Sequence, residues 1–182
     1  MPFYEEKIGK VLIDEDTLQD RLTKLGAQIT QDYKDCGDLL LICVLRGGVL
    51  FLTDLMRNID LPLHIDFMAV SSYDIGMRES SGRVRINFDL KTDIFNRDVL
   101  VVEDIIDSGH TLSKILEMLE TRQPRSLRVC TLLDKAERRE VEIEVHYTGF
   151  QIPDEFVVGY GLDYDEYYRN VPFIGVMTPD AA

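Results

Sequence analysis

Six residues in one short stretch, Glu103, Asp104, Asp107, Ser108, Gly109 and Thr111, carry the chemistry most open to reading in this chain. They lie within VLVVEDIIDSGHT, after four apolar residues that predict a buried strand and before a helical pattern that begins at Leu112. The place where a parallel strand ends and the next helix begins is where open α/β sheets hold their ligands. The backbone N–H groups of the Ser-Gly-His-Thr turn, with a helix dipole behind them, suit a phosphate. Gly109 lets the main chain approach it closely. The carboxylates just upstream would repel that phosphate unless they faced sugar hydroxyls or a hydrated metal ion. A phosphate at one end and a diol at the other describe a ribose 5-phosphate.

The elements that must position this turn follow from the hydrophobic pattern. Strands are expected at Leu39–Leu45, Leu63–Val70, Val99–Val102, Ser126–Leu133 and Glu155–Tyr160, and helices at Glu15–Lys34, Val49–Ile59 and Leu112–Thr121, the last stopped near Pro124. Alternating strands and helices predict an α/β fold with an open, mainly parallel twisted sheet and helices on both faces. LLLICVL and VLVV are continuous apolar runs, as strands covered on both sides require. Ser71–Asn87 interrupts the alternation with Ser, Gly and mixed charge, and by itself reads equally well as a solvated hairpin.

The length, 182 residues, suits one domain spanning 1–182 with a sizeable core. No apolar run approaches the ~20 residues of a membrane helix, and the N-terminus MPFYEEKIGK lacks the apolar segment of a signal peptide. A cytoplasmic protein without a membrane partner is expected. Cys36, Cys43 and Cys130, like the three histidines, show no metal-ligand spacing, so reduced structural thiols are expected. The net charge of −13 argues against a nucleic-acid partner, whose phosphates call for Lys and Arg. It also means that a polyanionic substrate needs local cations, for which Mg²⁺, held by a few carboxylates and substrate oxygens, is the natural choice.

EDIIDSGHT resembles the signature loop of the type I phosphoribosyltransferases. Four further segments, LRGG (Leu45–Gly48), SSY (Ser71–Tyr73), LLDKAERR (Leu132–Arg139) and DEFVVGYGLDYDEYYRN (Asp154–Asn170), narrow the resemblance to the hypoxanthine-guanine phosphoribosyltransferases of purine salvage. The likeness runs from about Leu39 to about Val176. It implies a small hood formed by the terminal segments and a flexible flap at Ser71–Asn87. It implies transfer of the 5-phosphoribosyl group from phosphoribosyl pyrophosphate to hypoxanthine or guanine, giving IMP or GMP, in a homodimer or homotetramer. A phosphoribosyl pyrophosphate-sensing RNA-binding regulator and a xanthine-preferring enzyme are the alternatives on the same fold. A phospho-accepting receiver domain, suggested by LVVED, is disfavoured because its acidic strand end would lie near the N-terminus.

The resemblance also distributes roles. Asp107 would exchange a proton with purine N7, neighbouring phosphates favouring its protonated form; in an unrelated chain it would serve equally as a helix cap. Glu103 and Asp104 would hold the ribose hydroxyls directly or through Mg²⁺, with Asp163 at a second Mg²⁺ through water. As neighbours on a strand, Glu103 and Asp104 are expected to face opposite sides, which speaks against a proton-sharing couple. Ser108, Gly109, His110 and Thr111 would cradle the 5-phosphate through the backbone. Arg46 and Gly47 would receive the pyrophosphate, with a cis peptide at Leu45–Arg46; Arg169 would clamp it through its bidentate fork, and Ser72 and Tyr73 would be brought in by the flap. Lys135, Phe156, Val157 and Asp163 would surround the base. An ammonium is a pure donor, so Lys135 can hold a 6-oxo group and cannot satisfy a 6-amino group, a mismatch worth roughly 10⁴-fold in a dry site.

Overall fold

The structure is a computed structural model in which residues 4, 7–72 and 84–178 are described. In chain order the elements are β1 Ile8–Ile13, α1 Glu15–Asp32, β2 Leu39–Leu45, α2 Val49–Arg57, β3 Leu63–Ser72, β4 Val84–Phe88, β5 Asp98–Ile106, α3 His110–Glu120, β6 Ser126–Asp134, β7 Tyr147–Gln151, β8 Val157–Val158 and β9 Ile174–Met177. The main sheet runs β4-β3-β2-β5-β6-β7, parallel throughout except for the antiparallel edge strand β4. A second, three-stranded antiparallel sheet, β1-β9-β8, joins the two terminal regions into a small hood.

The side-chain periods explain the layers. In β2 alternate residues serve opposite faces: Leu39, Leu41 and Cys43 pack with Leu18, Leu22, Leu25 and Ile29 of α1 and Phe51, Leu52 and Leu55 of α2. Leu40, Ile42 and Val44 pack with Leu112, Ile115 and Leu119 of α3. Each fully buried leucine stabilises the fold by about 1.5–3 kcal/mol relative to an exposed one. Asp14 starts α1 by accepting a hydrogen bond from the Thr17 N–H at 2.7 Å. No described helix is long and apolar enough to cross a membrane.

Two expectations change. Glu155–Tyr160 is a strand only at Val157–Val158, and it belongs to the hood. Gly159, Tyr160 and Gly161 all have positive φ, a left-handed run that ends any strand. Strands β1, β7 and β9 are not among the expected strands, whereas β4 pairs antiparallel with β3, as the hairpin reading of Ser71–Asn87 predicts. All three cysteines are free; Cys43 and Cys130 are buried, but Cys36 is only partly so and donates to Asp98 at 2.7 Å.

Candidate active site

The polar residues gather where β2, β5 and β6 end. β5 keeps its pairing with β6 to Ile106, while its pairing with β2 stops at Val102, because the chain after Leu45 turns away. The turn begins at the cis peptide Leu45–Arg46, as expected for this loop. Gly47 then lies against Asp104 so closely that a Cβ there would overlap the carboxylate, and Gly161 packs equally closely on the Gly47 carbonyl. The loops after β2 and β8 and the end of β5 are thus locked against one another.

Glu103 and Asp104 do not part to opposite sides as alternation predicts; their carboxyl groups lie beside each other. Burial, and then the charge of Asp104, hold the Glu103 carboxyl well above its usual range. Burial raises Asp104 as well, opposed by the Ile105 N–H and by the Arg169 charge. Glu103 Oε2 is buried without a hydrogen-bond partner. Two mutually repelling carboxyls with an orphaned oxygen suit a divalent cation. Among the described residues, no three His, Cys, Asp or Glu cluster to hold a metal by themselves, so substrate oxygens would complete its shell.

The Ser108–Thr111 turn begins α3. Gly109, with φ of 89°, takes the cap position, and no side chain caps the helix. Its first N–H groups therefore face the cavity lined by Glu103, Asp104, Asp107, Ser108 and Thr111, of about 230 Å³. The segment after β6 braces this turn: the N–H groups of Glu140 and Val141 donate to the Ser108 carbonyl at 2.9 and 3.3 Å. His110 turns aside to pair with Glu140 at 2.9 Å, leaving its backbone for the turn.

Lys135 directly follows β6 and is only 7% exposed. Its Nζ lies 3.7 Å from Asp107 Oδ2 and 3.5 Å from Asp154 Oδ1. Arg138 closes the ring, its Nε 3.0 Å from Asp107 Oδ1 and its Nη1 3.3 Å from Asp154 Oδ2. Arg138 and Asp154 were missed in the sequence, where DKAERR looks like a solvated charged turn; their charges alternate with those of the predicted residues, which is the one available signal. Phe156, half-exposed, follows Asp154 and meets the Tyr164 ring edge-on, with centroids 5.7 Å apart; Val157 is buried.

Arg169 donates to the Gly161 carbonyl at 2.8 Å and pairs with Asp163 at 2.8 Å and Glu166 at 3.2 Å. Glu166, also unforeseen, accepts from Arg46 with its other oxygen. Ser72 ends β3, and its side chain, Tyr73 and most of the Ser71–Asn87 flap lie outside the described residues.

The chain is similar to known proteins over most of its length. The profile of the phosphoribosyl transferase domain matches residues 14–165. The hypoxanthine-guanine phosphoribosyltransferase of Mycobacterium avium is 52% identical over 181 residues, covering 97% of this chain and 89% of its own. The hypoxanthine phosphoribosyltransferase of Salmonella typhimurium is 52% identical over 167 residues, covering 91% and 93%. A crystal structure of a hypoxanthine phosphoribosyltransferase from Staphylococcus aureus superposes with a TM-score of 0.92 at 49% identity, covering 96% of this chain and 94% of that one.

Proposed function

We propose, from the premise that the chain belongs to the phosphoribosyl transferase family, that it transfers the 5-phosphoribosyl group of phosphoribosyl pyrophosphate to hypoxanthine or guanine, releasing pyrophosphate and forming IMP or GMP. The observation that carries the choice of base is the pair Lys135 and Asp107, a buried donor 3.7 Å from an acceptor. O6 and N7 are adjacent on one edge of a 6-oxopurine. A base carrying its proton on N7 offers that edge an acceptor beside a donor, complementary to the pair.

Purine N9 attacks C1′ of the ribose as the bond from C1′ to the diphosphate oxygen breaks. The electron pair of that bond leaves with pyrophosphate, and the N7 proton passes to the Asp107 carboxylate. Lys135 holds O6, Phe156 offers a ring face to the base, and the Val157 backbone pairs with its edge. The uncapped α3 N-terminus and the backbone from Ser108 to Thr111 hold the 5-phosphate. Arg46, Gly47 and Arg169 receive the diphosphate. Most of the acceleration is positioning and neutralisation of the leaving group. Mg²⁺, held by Glu103 and Asp104 and through water by Asp163, would supply charge neutralisation at the ribose and diphosphate oxygens; the raised, partly orphaned carboxyls support this assignment.

A spectrophotometric assay with phosphoribosyl pyrophosphate, Mg²⁺ and each of hypoxanthine, guanine, xanthine and adenine tests the reading. Turnover of hypoxanthine and guanine is expected; turnover of adenine alone would overturn it. Exposed apolar side chains along β3 and β4, Ile65, Ile86 and Phe88, support a homodimer or homotetramer, which sedimentation velocity decides. A cytoplasmic location is part of this reading, and fractionation of cells expressing the protein decides it.

A further inference from the structure

Arg46 and Arg169 come from loops far apart in the chain, yet a single carboxylate joins them. One oxygen of Glu166 accepts from Arg46, and the other lies 3.2 Å from Arg169 Nη2. Among the described residues this is the only ion pair Arg46 makes, whereas Arg169 is also held by Asp163 and the Gly161 carbonyl. The backbone delivers Glu166 here at a conformational cost. Asp165, Glu166 and Tyr168 have φ of 51°, 69° and 73°, a region L residues rarely adopt. The bend is fastened by paired bonds between Tyr164 and Tyr167 at 3.2 and 3.0 Å, and by the Glu166 N–H donating to Asp163 at 2.9 Å. A bidentate anion between two guanidinium groups reproduces the charge pattern that a diphosphate presents to the same arginines.

We infer that Glu166 is an internal competitor for the diphosphate cradle. It holds both arginines together. Phosphoribosyl pyrophosphate must displace it to bind, and it reclaims the arginines when pyrophosphate departs. The inference rests on the assignment of Arg46 and Arg169 to the diphosphate made above. Its signature is a sign: a carboxylate that merely braced the arginines would, when removed, weaken diphosphate binding, whereas a competitor, when removed, strengthens it.

The test is calorimetric titration of Mg²⁺-pyrophosphate into the wild-type protein and the variants Glu166→Gln, Glu166→Asp, Arg46→Gln and Arg169→Gln. Glu166→Gln should bind roughly three- to ten-fold more tightly, the combined worth of two exposed ion pairs. Glu166→Asp, too short to span both arginines, should lie between it and the wild type and serves if the amide variant fails to fold. KM for the base should stay unchanged in both. Unchanged or weaker binding by the Glu166 variants, with loss of binding by the arginine variants, overturns the inference and leaves the cradle standing. Unchanged binding by both arginine variants overturns the cradle, and the inference with it.

Discussion

Asp98 and Asp104 stand near opposite ends of β5, in opposite circumstances. Asp98, at the start of the strand, accepts from Arg125, from the Ser126 hydroxyl at 2.6 Å and from the Cys36 thiol at 2.7 Å. These partners, Arg125 foremost, hold its carboxyl well below the usual range despite partial burial. Asp104, at the other end, lies beside Glu103, and desolvation pushes both carboxyls up. The helices repeat the contrast. α1 is capped by Asp14, whereas α3 begins at an uncapped glycine. Where the protein meets its own charges and dipoles, the group is architectural; where it leaves them unmet, the deficit marks what a ligand must supply.

The comparison can be broken at several points. Asp107→Asn should lower kcat roughly 10²- to 10⁴-fold, the usual worth of a positioned proton acceptor, with an unchanged melting temperature. If steady-state kinetics show only KM rising, the proton-transfer role is wrong. Lys135→Gln should cost hypoxanthine roughly 10- to 100-fold in kcat/KM through loss of a charged hydrogen bond. It should also erode the bias against adenine, because an amide can turn its oxygen to a 6-amino group; an unchanged preference across the bases would remove Lys135 from recognition. The double variant Glu103→Gln, Asp104→Asn should melt above the wild type in chelator and gain nothing from Mg²⁺, which scanning calorimetry with and without the ion decides.

Asp98→Asn is the mildest change, leaving kcat and KM intact while lowering the melting temperature. Because the folded carboxyl titrates below the unfolded one, whose pKa is about 4, the stabilisation is complete above that value and fades as the pH falls below it. Denaturant curves of wild type and variant should therefore differ at neutral pH and converge in strong acid. A constant gap would assign the loss to packing.

Legibility in the sequence followed the range of the interactions. β2 matches its expected limits, Leu39–Leu45, because burial on both faces leaves an unbroken apolar run. The turn at Ser108–Thr111 was equally plain, since a strand end, a glycine and a helix start follow one another in the sequence. Glu155–Tyr160 misled because Phe156-Val157-Val158 is apolar while the φ signs of the following residues are invisible in a string of letters. Arg138, Asp154 and Glu166 were hidden for another reason. A charged turn whose partners lie 16 to 120 residues away looks solvated until the fold brings them together. The Glu103–Asp104 contact escaped because strand alternation holds only while both edges are paired, and past Val102 one edge is not.

The hood has a consequence for how the protein is made. Ile8 pairs with Met177 and Ile13 with Ile174, and β9 in turn carries β8, whose residues follow Phe156. The proposed nucleobase platform therefore waits on a pairing between the first and last described strands, a contact of very high sequence separation. A growing polypeptide emerging from the ribosome can wrap the nucleus of the parallel sheet early. It should acquire affinity for the base only after the final strand has cleared the exit tunnel.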